Sequence, residues 1–480
     1  MRISKALIPA AGRGLRAYPK TVRTPKVLLT IDGRALIERN IELLRDSLGI
    51  RDIVIIVGHL GDQIRGALGD GSRLGVALRY VECPRPDDGL ARGLLVARDL
   101  FDEPFVTILG DELYLDSNHQ RLPECLGGEF SAVCGVLRTG DLHRIKRNYS
   151  VVMEGGRIVA LEEKPAVIRN DYLGCGTYVF TPGIFRAIEA TPPSPRSGRV
   201  ELTDAIHRQA QEPPGVIPFF LEGEYYNINT QDDYNFAHFR VRQTRFAEKR
   251  VSVVIPAYNE EQSIAYVVRD FLPLVDEVLV VDNSSRDATA RVAAEAGARV
   301  ETVKLTGYGD TIRWGLDHAT GDILVVVEAD LSFRARDLSK LLEYLKDADM
   351  VVGTRTTREL VEQGTNMRGL VRWGNVVVAK LVEALWWNLQ PRFTDVGCTY
   401  RALWRDTYEA MRPLLRGVGP ELSPEMMIAA LQARQRVIEV PVSYHRRIAG
   451  ESKHSGNYFR ISRTALRMLR TILLKRLGVY

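Results

Sequence analysis

The feature that most constrains this chain is an alternation of short β-branched runs with helical stretches, which begins at the N-terminus and begins again near residue 250. The apolar runs of the first half include DIVIIVGH and PFVTILGDE, and those of the second half include VSVVIPAYNE, DEVLVVDNSS and DILVVVEAD. Continuous apolar strands separated by helices are typical of parallel sheets covered on both faces. The chain is therefore predicted to be an α/β protein with two Rossmann-like, doubly wound domains.

The point near residue 250 where the alternation of strands and helices begins again also sets the predicted domain boundaries. A chain of 480 residues is about three times the length of a typical domain. The polar and basic stretch HFRVRQTRFAEKR (238–250) separates the two halves and is interpreted as their connection. We expect one domain over residues 1–240, a linker over 241–250, a second domain over 251–455 and a basic amphipathic C-terminal helix over 456–480.

Charge and cysteine content exclude several classes of protein. The 65 Lys and Arg residues against 60 Asp and Glu leave a net charge of +5, which is too small for a nucleic-acid-binding protein. The five scattered cysteines form no CxxC motif, as in a reduced cytosolic protein. The N-terminus has no signal-peptide-like apolar stretch, and no window is long enough to span a membrane. We expect a cytoplasmic protein, with peripheral attachment to the inner face of the membrane as a further hypothesis.

The end of the first strand, AAGRGLRAYPK followed by TPKVL, has the composition of a phosphate site. Ligands of open α/β sheets bind beyond the carboxyl ends of the strands. Gly12 and Gly14 would let backbone N–H groups approach a phosphate chain closely. The cations that can neutralise such a chain are Arg13, Arg16, Lys20 and Lys26. A phosphate chain is the predicted ligand, and a plain strand–helix turn is the alternative.

Six motifs of this half, taken in order, resemble the sugar-1-phosphate nucleotidyltransferases over roughly residues 1–240. They are IPAAGRGLR…TPK, PDDGLARG, ILGDE, LEEKP, YLGCGTYVF and YYNINTQDDY. The residues that the resemblance implies are Lys26 and Lys164 for the phosphates, Gly89 for the base, Glu163 for the sugar hydroxyls and Asp111 for the metal ion. The implied fold is that of the nucleotidyltransferases.

Two positions depart from the pattern of that family. The last motif usually carries an aspartate as second metal ligand, and this chain has Asn227 there. Before the base loop, where a glutamine often reads a pyrimidine edge, the chain has Glu82 and Cys83. The resemblance therefore implies nucleotidyl transfer and leaves the base and the sugar open.

The residue types suit in-line transfer of a nucleotidyl group. A sugar-1-phosphate oxygen would attack the α-phosphorus of an NTP, and pyrophosphate would leave. Because the nucleophile is already ionised, catalysis is mostly charge neutralisation and positioning, and Arg16, Lys26 and Lys164 are the predicted catalytic residues. Mg²⁺ (or Mn²⁺) on Asp111 and Asn227 would hold phosphate oxygens.

In the second half, polar residues follow three apolar strands, in VVIPAYNEE, VVDNSSRDAT and VVVEADLSF. Glu328 and Asp330 come after the last of these strands. Residues i and i+2 of an extended backbone point to the same side, so both carboxylates can bind one cation. The sequence predicts a second site for Mg²⁺ or Mn²⁺, and a solvated strand end is the alternative.

These motifs resemble the family 2 glycosyltransferases with the GT-A fold over about residues 250–455, in particular the polyprenyl-phosphate sugar synthases of the dolichyl-phosphate mannose synthase type. GYGDTIRWGLDHATGD, FTDVGCTYRALWRD and RRIAGESKHS extend the resemblance. It implies Glu328 and Asp330 as the metal pair, with Asp330 and Arg447 catalytic. The other implied donor-binding or acceptor-binding residues are Pro256, Tyr258, Glu260, Asp282, Asp395, Arg401 and Lys453.

The kind of acceptor decides whether the second domain needs a base. A lipid phosphate oxygen that attacks the anomeric carbon needs little deprotonation at neutral pH. A hydroxyl of a protein or saccharide needs a carboxylate base, and Glu421 and Glu425 in GPELSPEMM are the candidates. Either glutamate could instead simply begin the following helix, where acids are favoured.

The C-terminal segment concentrates positive charge. From residue 446 to residue 480 there are seven Arg and two Lys against Glu451 alone, and YFRISRTALRMLRTILLKRLGVY predicts a helix with one arginine-rich and one apolar half. Such a helix suits a membrane interface, or its apolar half packs on the transferase core. The run Gly369–Leu389, with Trp386 and Trp387, could add a second apolar contact surface.

The leading hypothesis is a bifunctional enzyme that makes an NDP-sugar and then transfers the sugar to an acceptor, a polyprenyl phosphate in the first instance. One alternative keeps both activities with a protein or saccharide hydroxyl as acceptor. Another makes the first domain a non-catalytic nucleotide sensor, which Lys26, Asp111 and Lys164 disfavour and Asn227 leaves open. The predicted partners are an NTP, a sugar-1-phosphate, an NDP-sugar, a lipid phosphate and a membrane surface, without nucleic acid.

Overall fold

The computed structural model describes residues 3–18, 21–365, 369–389, 391–447 and 458–479. The chain divides into two compact units, Met1–Val241 and Arg242–Tyr480. Each unit has its own sheet with helices packed on it, and its own apolar clusters. The predicted fold class, α/β with two Rossmann-like units, is confirmed.

The strands of the first unit range from two to nine residues. They are β1 (Lys5–Pro9), β2 (Thr30–Ile31), β3 (Arg34–Ala35), β4 (Asp52–Val57), β5 (Ala77–Glu82), β6 (Phe105–Ile108), β7 (Glu112–Leu115), β8 (Ala132–Arg138), β9 (Tyr149–Glu154), β10 (Arg157–Glu163), β11 (Tyr172–Phe180), β12 (Val216–Phe220) and β13 (Glu224–Asn227). Within the described residues, the main sheet has the order β5-β4-β1-β6-β11-β8-β12-β10-β9, and β7 pairs with β13 separately.

The helices of this unit follow from amphipathic segments between the strands. They are α1 (Leu36–Leu48), α2 (Gly61–Leu68), α3 (Leu90–Leu94), α4 (Leu142–Arg147), α5 (Gly183–Ala190), α6 (Leu202–Ala210) and α7 (Gln231–Thr244). In α1, Ile37, Ile41 and Leu44 recur at helical spacing and are buried against the sheet. Gly49 ends the helix in the left-handed conformation, with φ 69°.

The main sheet of the first unit is parallel over one half only. Strands β5, β4, β1 and β6 are parallel neighbours, as the continuous apolar runs predict. Strand β11 is antiparallel to both β6 and β8, and β9 and β10 form a hairpin. Gly155 and Gly156 turn that hairpin with φ of 54° and 78°, because such a tight reversal needs positive φ. The predicted parallel sheet is therefore wrong for the second half of this unit.

The second unit repeats the architecture with fewer strands. They are β14 (Val251–Ala257), β15 (Glu277–Asp282), β16 (Arg299–Thr302), β17 (Ile323–Val326), β18 (Met350–Thr354), β19 (Arg401–Trp404) and β20 (Val437–Pro441). Within the described residues, they form one sheet of order β16-β15-β14-β17-β19-β18-β20. Only β19 is antiparallel to its neighbours in that sheet.

The helices of the second unit cover its sheet and extend to the C-terminus. They are α8 (Ile264–Phe271), α9 (Thr289–Glu295), α10 (Tyr308–His318), α11 (Leu338–Leu345), α12 (Leu370–Leu385), α13 (Arg405–Met411), α14 (Leu422–Gln432) and α15 (Tyr458–Leu477). No helix among the described residues is long and apolar enough to cross a lipid bilayer.

The stretch that the sequence suggests as a linker contains the end of α7. Arg242, near that end, is buried and donates to the carboxylates of Asp349 and Asp406, both at 2.8 Å. Its guanidinium also lies 4.4 Å from the ring centroid of Trp404. These contacts anchor the start of the second unit to its own core.

Candidate active sites

A cavity of about 530 Å³ in the first unit lies at the carboxyl ends of β1 and β6, where an open α/β sheet binds its ligands. It brings together most of the site residues that the sequence predicts for this half. Those that line it are Gly12, Arg13, Gly14, Arg16, Lys26, Gly89, Asp111, Glu163, Lys164 and Asn227. Lys20 lies outside the described residues.

The glycine-rich turn after β1 fits closely over the chain that follows it. Gly14 has φ 63°, and a Cβ there would lie 3.2 Å from the Cβ of Lys26 and 3.3 Å from Cγ2 of Thr21. A side chain at this position would therefore be strained and crowded. Arg13 pairs with Asp87 of the base-loop motif at 3.0 Å. The turn thus holds two sequence motifs against one cavity.

Lys26 and Asp111 form an ion pair in the cavity wall. Lys26 follows the glycine-rich turn and Asp111 follows β6, so the pair joins the two strand ends that the sequence singles out. An ammonium beside a carboxylate is the arrangement that phosphate oxygens and a divalent cation can share. The pair therefore brings two opposite charges side by side in the wall of the cavity.

The EKP turn, which includes Glu163 and Lys164, has a strained backbone. Lys164 has φ 44°, a conformation that side-chain-bearing residues rarely adopt. Its N–H donates to the carbonyl of Asn148 at 2.6 Å. Arg196 donates to the carbonyls of Glu163 and Lys164, at 2.5 Å and 2.7 Å. Burial raises the pKa of Glu163 above its ordinary value.

Asn227 belongs to a chain of side-chain hydrogen bonds. Arg16 donates to Oδ1 of Asn229 at 2.7 Å, and Nδ2 of Asn229 donates to Oδ1 of Asn227 at 2.7 Å. Nδ2 of Asn227 then donates to Oδ1 of Asn148 at 3.0 Å. The phosphate-loop arginine is thereby linked to the residue that stands at the second metal position.

Glu112, next to Asp111, is a buried acid that also lines the cavity. Its carboxylate accepts hydrogen bonds from the hydroxyls of Tyr114 and Tyr225 and from the N–H of Gly176. Burial raises the pKa of Glu112 to about 7 in spite of these hydrogen bonds. Sequence reasoning missed this residue, although the ILGDE motif contains it.

The donor set of the first cavity fits a hard divalent cation. Asp111 offers a carboxylate and Asn227 an amide oxygen, and both line the same cavity. No group of three or more His, Cys, Asp or Glu side chains within the described ranges could hold a metal ion by itself. The remaining ligands would have to be phosphate oxygens or water, as is usual for Mg²⁺.

A second cavity, of about 580 Å³, lies at the carboxyl ends of β14 and β17 in the second unit. The predicted residues that line it are Pro256, Tyr258, Glu260, Glu328, Asp330 and Arg447. Lys453 lies outside the described residues. The E-x-D pair and the start of the basic motif are therefore brought to one place, although they are more than a hundred positions apart in the chain.

Arg447 bridges the two carboxylates of that pair. Its Nε lies 2.8 Å from Asp330, and its Nη2 lies 3.5 Å from Glu328. Burial, followed by the charge of Asp330, raises the pKa of Glu328 to about 7. Two adjacent carboxylates that face a cavity fit a hard divalent cation.

Three residues that the resemblance implies for the second site do not line its cavity. Asp395 is fully buried, and both of its oxygens bind Arg355 at 2.8 Å and 2.9 Å. Arg401 is buried in β19 and donates to the carbonyls of Ser423 and Cys398. Asp282 ends β15, accepts from the N–H of Ser285 and has its other oxygen buried. Asp395 and Arg401 are therefore hydrogen-bonded within the second unit, and their implied role in ligand binding stays a prediction.

Asp395 and Arg355 form a buried ion pair in which each side chain neutralises the charge of the other. Burial alone would raise the pKa of Asp395, but the charge and hydrogen bonds of Arg355 lower it below its ordinary value. Arg355 itself lines the cavity and lies 5.2 Å from the ring centroid of Tyr444. Of this pair, Arg355 lines the cavity and Asp395 does not.

The two glutamates proposed as bases for a hydroxyl acceptor are also engaged internally. Glu425 is fully buried, accepts from the N–H groups of Arg416 and Gly417 at 2.9 Å and 2.6 Å, and pairs with Lys475 at 3.1 Å. Glu421 accepts from the N–H of Gly419 at 2.9 Å. Neither glutamate is part of the cavity lining, so both act locally at the start of α14.

The C-terminal helix α15 packs on α12 and α14 of the second unit. Ile472 and Lys475 are buried, and Thr464 and Met468 form part of the wall of the second cavity. Packing on the core, one of the two alternatives for this helix, is therefore what these residues do.

The opposite side of α15 is exposed and mixes leucine with arginine. Leu466 and Leu477 are each 72% exposed and Leu473 is 49% exposed. Exposed arginines, Arg463, Arg467, Arg470 and Arg476, lie among them. On the neighbouring α12, Trp373 is 69% and Val377 64% exposed. Outward apolar side chains therefore remain on both helices after packing.

The sequence motifs did not reveal several residues of the two sites. Arg199 lines the first cavity opposite Gly89, and Arg196 binds the EKP turn. Both arginines lie in TPPSPRSG and its continuation, which reads as a Pro-rich loop. Arg355 and Met468 line the second cavity. For Arg196 and Arg199, the signal available in the sequence was the presence of two arginines in a loop between strand motifs.

Two family profiles match the chain over separate ranges. That of the nucleotidyl transferases matches residues 5–238, and that of glycosyl transferase family 2 matches residues 252–404. Each range contains one of the two cavities described above.

Individual relatives fall into the same two groups. The first half is 34% identical to a glucose-1-phosphate thymidylyltransferase of Streptomyces griseus over 42% of this chain and 56% of that protein. It is 30% identical to a low-salt glycan biosynthesis nucleotidyltransferase of Haloferax volcanii over 52% of this chain and 69% of that protein. The second half is 32% identical to an undecaprenyl-phosphate mannosyltransferase of Micrococcus luteus over 43% of this chain and 88% of that protein. The chain spans little more than half the length of the first of these relatives.

Proposed function

Because the chain belongs to the nucleotidyl transferase family over residues 5–238 and to glycosyl transferase family 2 over residues 252–404, we propose that it is a bifunctional enzyme of nucleotide-sugar metabolism. The first unit makes an NDP-sugar and pyrophosphate from an NTP and a sugar-1-phosphate. The second unit transfers the sugar from an NDP-sugar to an acceptor phosphate carried by a polyprenyl lipid.

The observation that carries this proposal is the charge arrangement of the first cavity. Lys26 and Asp111 pair at one end, and Glu163 and Lys164 stand on the EKP turn in the same cavity. A sugar phosphate and a nucleoside triphosphate both need cations for their phosphates, and the sugar hydroxyls need an acceptor such as a carboxylate. The cavity offers these groups together.

In the first reaction the sugar-1-phosphate oxygen forms a bond to the α-phosphorus while the bond from that phosphorus to the β-phosphate oxygen breaks. Lys164 neutralises the attacking phosphate, and Lys26 and Arg16 stabilise the charge that develops on the triphosphate. Mg²⁺ or Mn²⁺ held by Asp111 and Asn227 would add Lewis-acid stabilisation of that charge. No protein base is needed, because the nucleophile is already an anion.

In the second reaction a phosphate oxygen of the acceptor attacks the anomeric carbon of the donor sugar, and the bond to the nucleotide diphosphate breaks. Arg447 and Arg355 line the cavity and would bind the phosphate groups of donor and acceptor. A cation held by Glu328 and Asp330 would neutralise the departing diphosphate.

The internal bonding of Glu421 and Glu425 favours a phosphate acceptor over a hydroxyl acceptor. A hydroxyl must lose its proton to a base near the anomeric carbon. Both candidate glutamates are bonded to backbone N–H groups outside the cavity lining. An anionic acceptor does not require that base.

The exposed leucines and arginines of α15, with Trp373 of α12, support attachment to the surface of an anionic membrane. Apolar side chains that enter the headgroup region, flanked by cations, are what an interfacial helix needs. Thr464 and Met468 place the other side of the same helix in the second cavity. An acceptor held in a bilayer could therefore reach the site along α15.

The test pairs two assays on the full-length protein. A panel of NTPs against several sugar-1-phosphates is monitored for pyrophosphate release, and the radiolabelled NDP-sugar is then incubated with membranes that contain polyprenyl phosphates. We expect pyrophosphate with one base and sugar, followed by label that organic solvent extracts. Label in protein or water-soluble saccharide would indicate a hydroxyl acceptor, and absence of pyrophosphate with every pair would indicate a nucleotide-sensing first unit.

A further inference from the structure

The buried carboxylate of Glu112 has no role in the reaction as described above. It is 1% exposed and makes no ion pair among the described residues. A buried acid without a cationic partner is costly, and its hydrogen bonds must offset the lost hydration. The chain nevertheless places this acid directly after the metal-site residue Asp111.

The groups that donate hydrogen bonds to the Glu112 carboxylate come from several separate sequence motifs. The hydroxyl of Tyr225 donates to Oε1 at 2.6 Å, and the N–H of Gly176 donates to Oε2 at 2.8 Å. The hydroxyl of Tyr114 also donates to Oε2. A Cβ at Gly176 would lie only 2.4 Å from Oε2, so the Glu112 carboxylate fits at this position because residue 176 is glycine. The YLGCGTYVF and YYNINTQDDY motifs therefore meet at one carboxylate.

The remaining contact of Glu112 is with Asn227. Nδ2 of Asn227 lies 3.5 Å from Oε1 of Glu112. The direction of this contact is set by Arg16, which can only donate and therefore fixes Oδ1 of Asn229 as the acceptor. Nδ2 of Asn229 then faces Oδ1 of Asn227, which leaves Nδ2 of Asn227 to face Asn148 and Glu112.

An aspartate at position 227 would not fit this arrangement. Its second oxygen would face two acceptors, Oδ1 of Asn148 and the ionised carboxylate of Glu112, with no hydrogen to share. Like charges at this separation repel, and more strongly where one of them is buried, as Glu112 is. An ionised Glu112 therefore favours an amide over a carboxylate at position 227.

We propose that Glu112 is a positioning residue of the nucleotidyl-transfer site, which together with Arg16 and Asn229 fixes the orientation of the Asn227 amide and supplies a second carboxyl group beside Asp111. This inference rests on the proposed function of the first unit. It explains why an asparagine suits position 227 in this chain: its amide can donate to the carboxylate of Glu112 on β7, which an aspartate could not do.

The experiment is a double-mutant cycle in the full-length protein, with Glu112→Gln, Asn227→Asp and the two combined. All variants carry Asp330→Asn, which weakens metal binding at the second site. Mn²⁺ binding is measured by electron paramagnetic resonance without substrates, and the unfolding temperature is measured by calorimetry. Gln at 112 can still accept from Tyr114 and Gly176, but its Nε2 would face Nδ2 of Asn227, so the substitution tests the charge together with the contact to Asn227.

We expect Glu112→Gln to weaken Mn²⁺ binding on the order of tenfold, the effect of one charge at short range. The double variant should regain affinity to within about threefold, because the charge is restored at 227. Unchanged affinity in Glu112→Gln, or strictly additive effects of the two substitutions, would overturn the proposal.

A second comparison does not depend on the folding of any variant at position 112. Asn227→Asp should unfold at least about 3 °C below Asn227→Ala, because only the aspartate adds a charge next to Glu112. Equal unfolding temperatures would overturn the proposal. If the wild-type protein releases no pyrophosphate from any substrate pair, the proposed function fails, whereas the coupling between 112 and 227 still decides the role of Glu112.

Discussion

At the scale of single residues, two roles can be distinguished for Asp395. In a structural role it neutralises the buried Arg355, and in an acceptor-binding role it contacts the substrate. Asp395→Asn leaves a buried arginine without its counter-charge, so we expect the free energy of unfolding of the second unit to fall by about 3–5 kcal/mol. Urea unfolding followed by tryptophan fluorescence reports this unit, because all five tryptophans lie beyond residue 241.

The control for Asp395→Asn is Glu295→Gln, which removes an exposed ion pair with Arg291 in the same unit. Exposed pairs contribute little, so its unfolding curve should nearly match that of the wild type. Slow sugar transfer with wild-type stability in Asp395→Asn would instead support the acceptor-binding role.

His119 makes the stability of the first unit depend on pH. Burial lowers its pKa to about 4, from an ordinary value of 6.5. Between these values the unfolded chain binds a proton that the folded unit excludes, so stability should fall as the pH drops from 6.5 to 4. Relative to His119→Gln, the wild type should lose about 1.4 kcal/mol per pH unit.

The measurement for His119 is amide hydrogen exchange of strand β8 across this pH range, because the first unit has no tryptophan. The Gln variant keeps hydrogen-bonding groups near Ser117 and Thr177, the partners of the imidazole nitrogens. A difference between the two proteins that does not change with pH would contradict the expectation.

Much of each site is predictable from residues that directly follow apolar strands. Asp111, Glu328 and Asp330 stand in such motifs, Lys26 follows the glycine-rich turn after β1, and all four line the two cavities. Arg355 also follows a strand, but sequence alone does not show that Asp395, forty positions later, presents this arginine to the cavity. Ion pairs between distant segments depend on the tertiary fold and leave no local pattern.

At the scale of elements, the positions of strands and helices are predictable because burial gives each type a characteristic spacing of apolar residues. The relative direction of neighbouring strands is harder to predict. The sequence predicts helices between the apolar strands, and α1, for example, covers Leu36–Leu48 between β3 and β4. The antiparallel strands β8 to β11 have similar apolar runs, and their direction is set by hairpins and crossovers that the runs do not encode.

The buried pair of Lys475 and Glu425 attaches α15 to α14. Both side chains are almost fully buried at 3.1 Å, so Lys475→Met leaves an uncompensated carboxylate. We expect a loss of about 3–5 kcal/mol in the second unit, measured by tryptophan fluorescence in urea. Arg476→Met, at an exposed neighbouring position, is the matched control and should change little.

We predict that membrane attachment depends on the exposed side of α15. Replacing Leu466, Leu473 and Leu477 by glutamine removes apolar surface without touching the packed side, so partitioning onto anionic vesicles should weaken at least about tenfold. Sedimentation with vesicles measures this, and high salt should release the wild type in part. The same change at Leu272 and Leu274, two exposed leucines elsewhere in the unit, should have no effect.

At the scale of the whole molecule, the two sites belong to different units and should fail separately. Lys26→Ala and Asp111→Ala should each reduce pyrophosphate release at least about 100-fold and leave transfer from a preformed NDP-sugar unchanged. Asp330→Ala should have the reverse effect. Parallel assays of both reactions on each purified variant measure this, and loss of both activities in a folded Asp111→Ala protein would contradict independence.

The ion pair that attaches α15 also bears on how the polypeptide is made. Fifty residues separate Glu425 from Lys475, and ribosomes add roughly 5–20 residues per second. The glutamate therefore exists for roughly 3–10 s before its lysine has been polymerised. During that interval the carboxylate that α14 will bury has no cation to pair with, so the second unit cannot complete its core until residue 475 has been polymerised. A ribosome that stalls in this stretch would hold a nascent chain that chaperones can still bind.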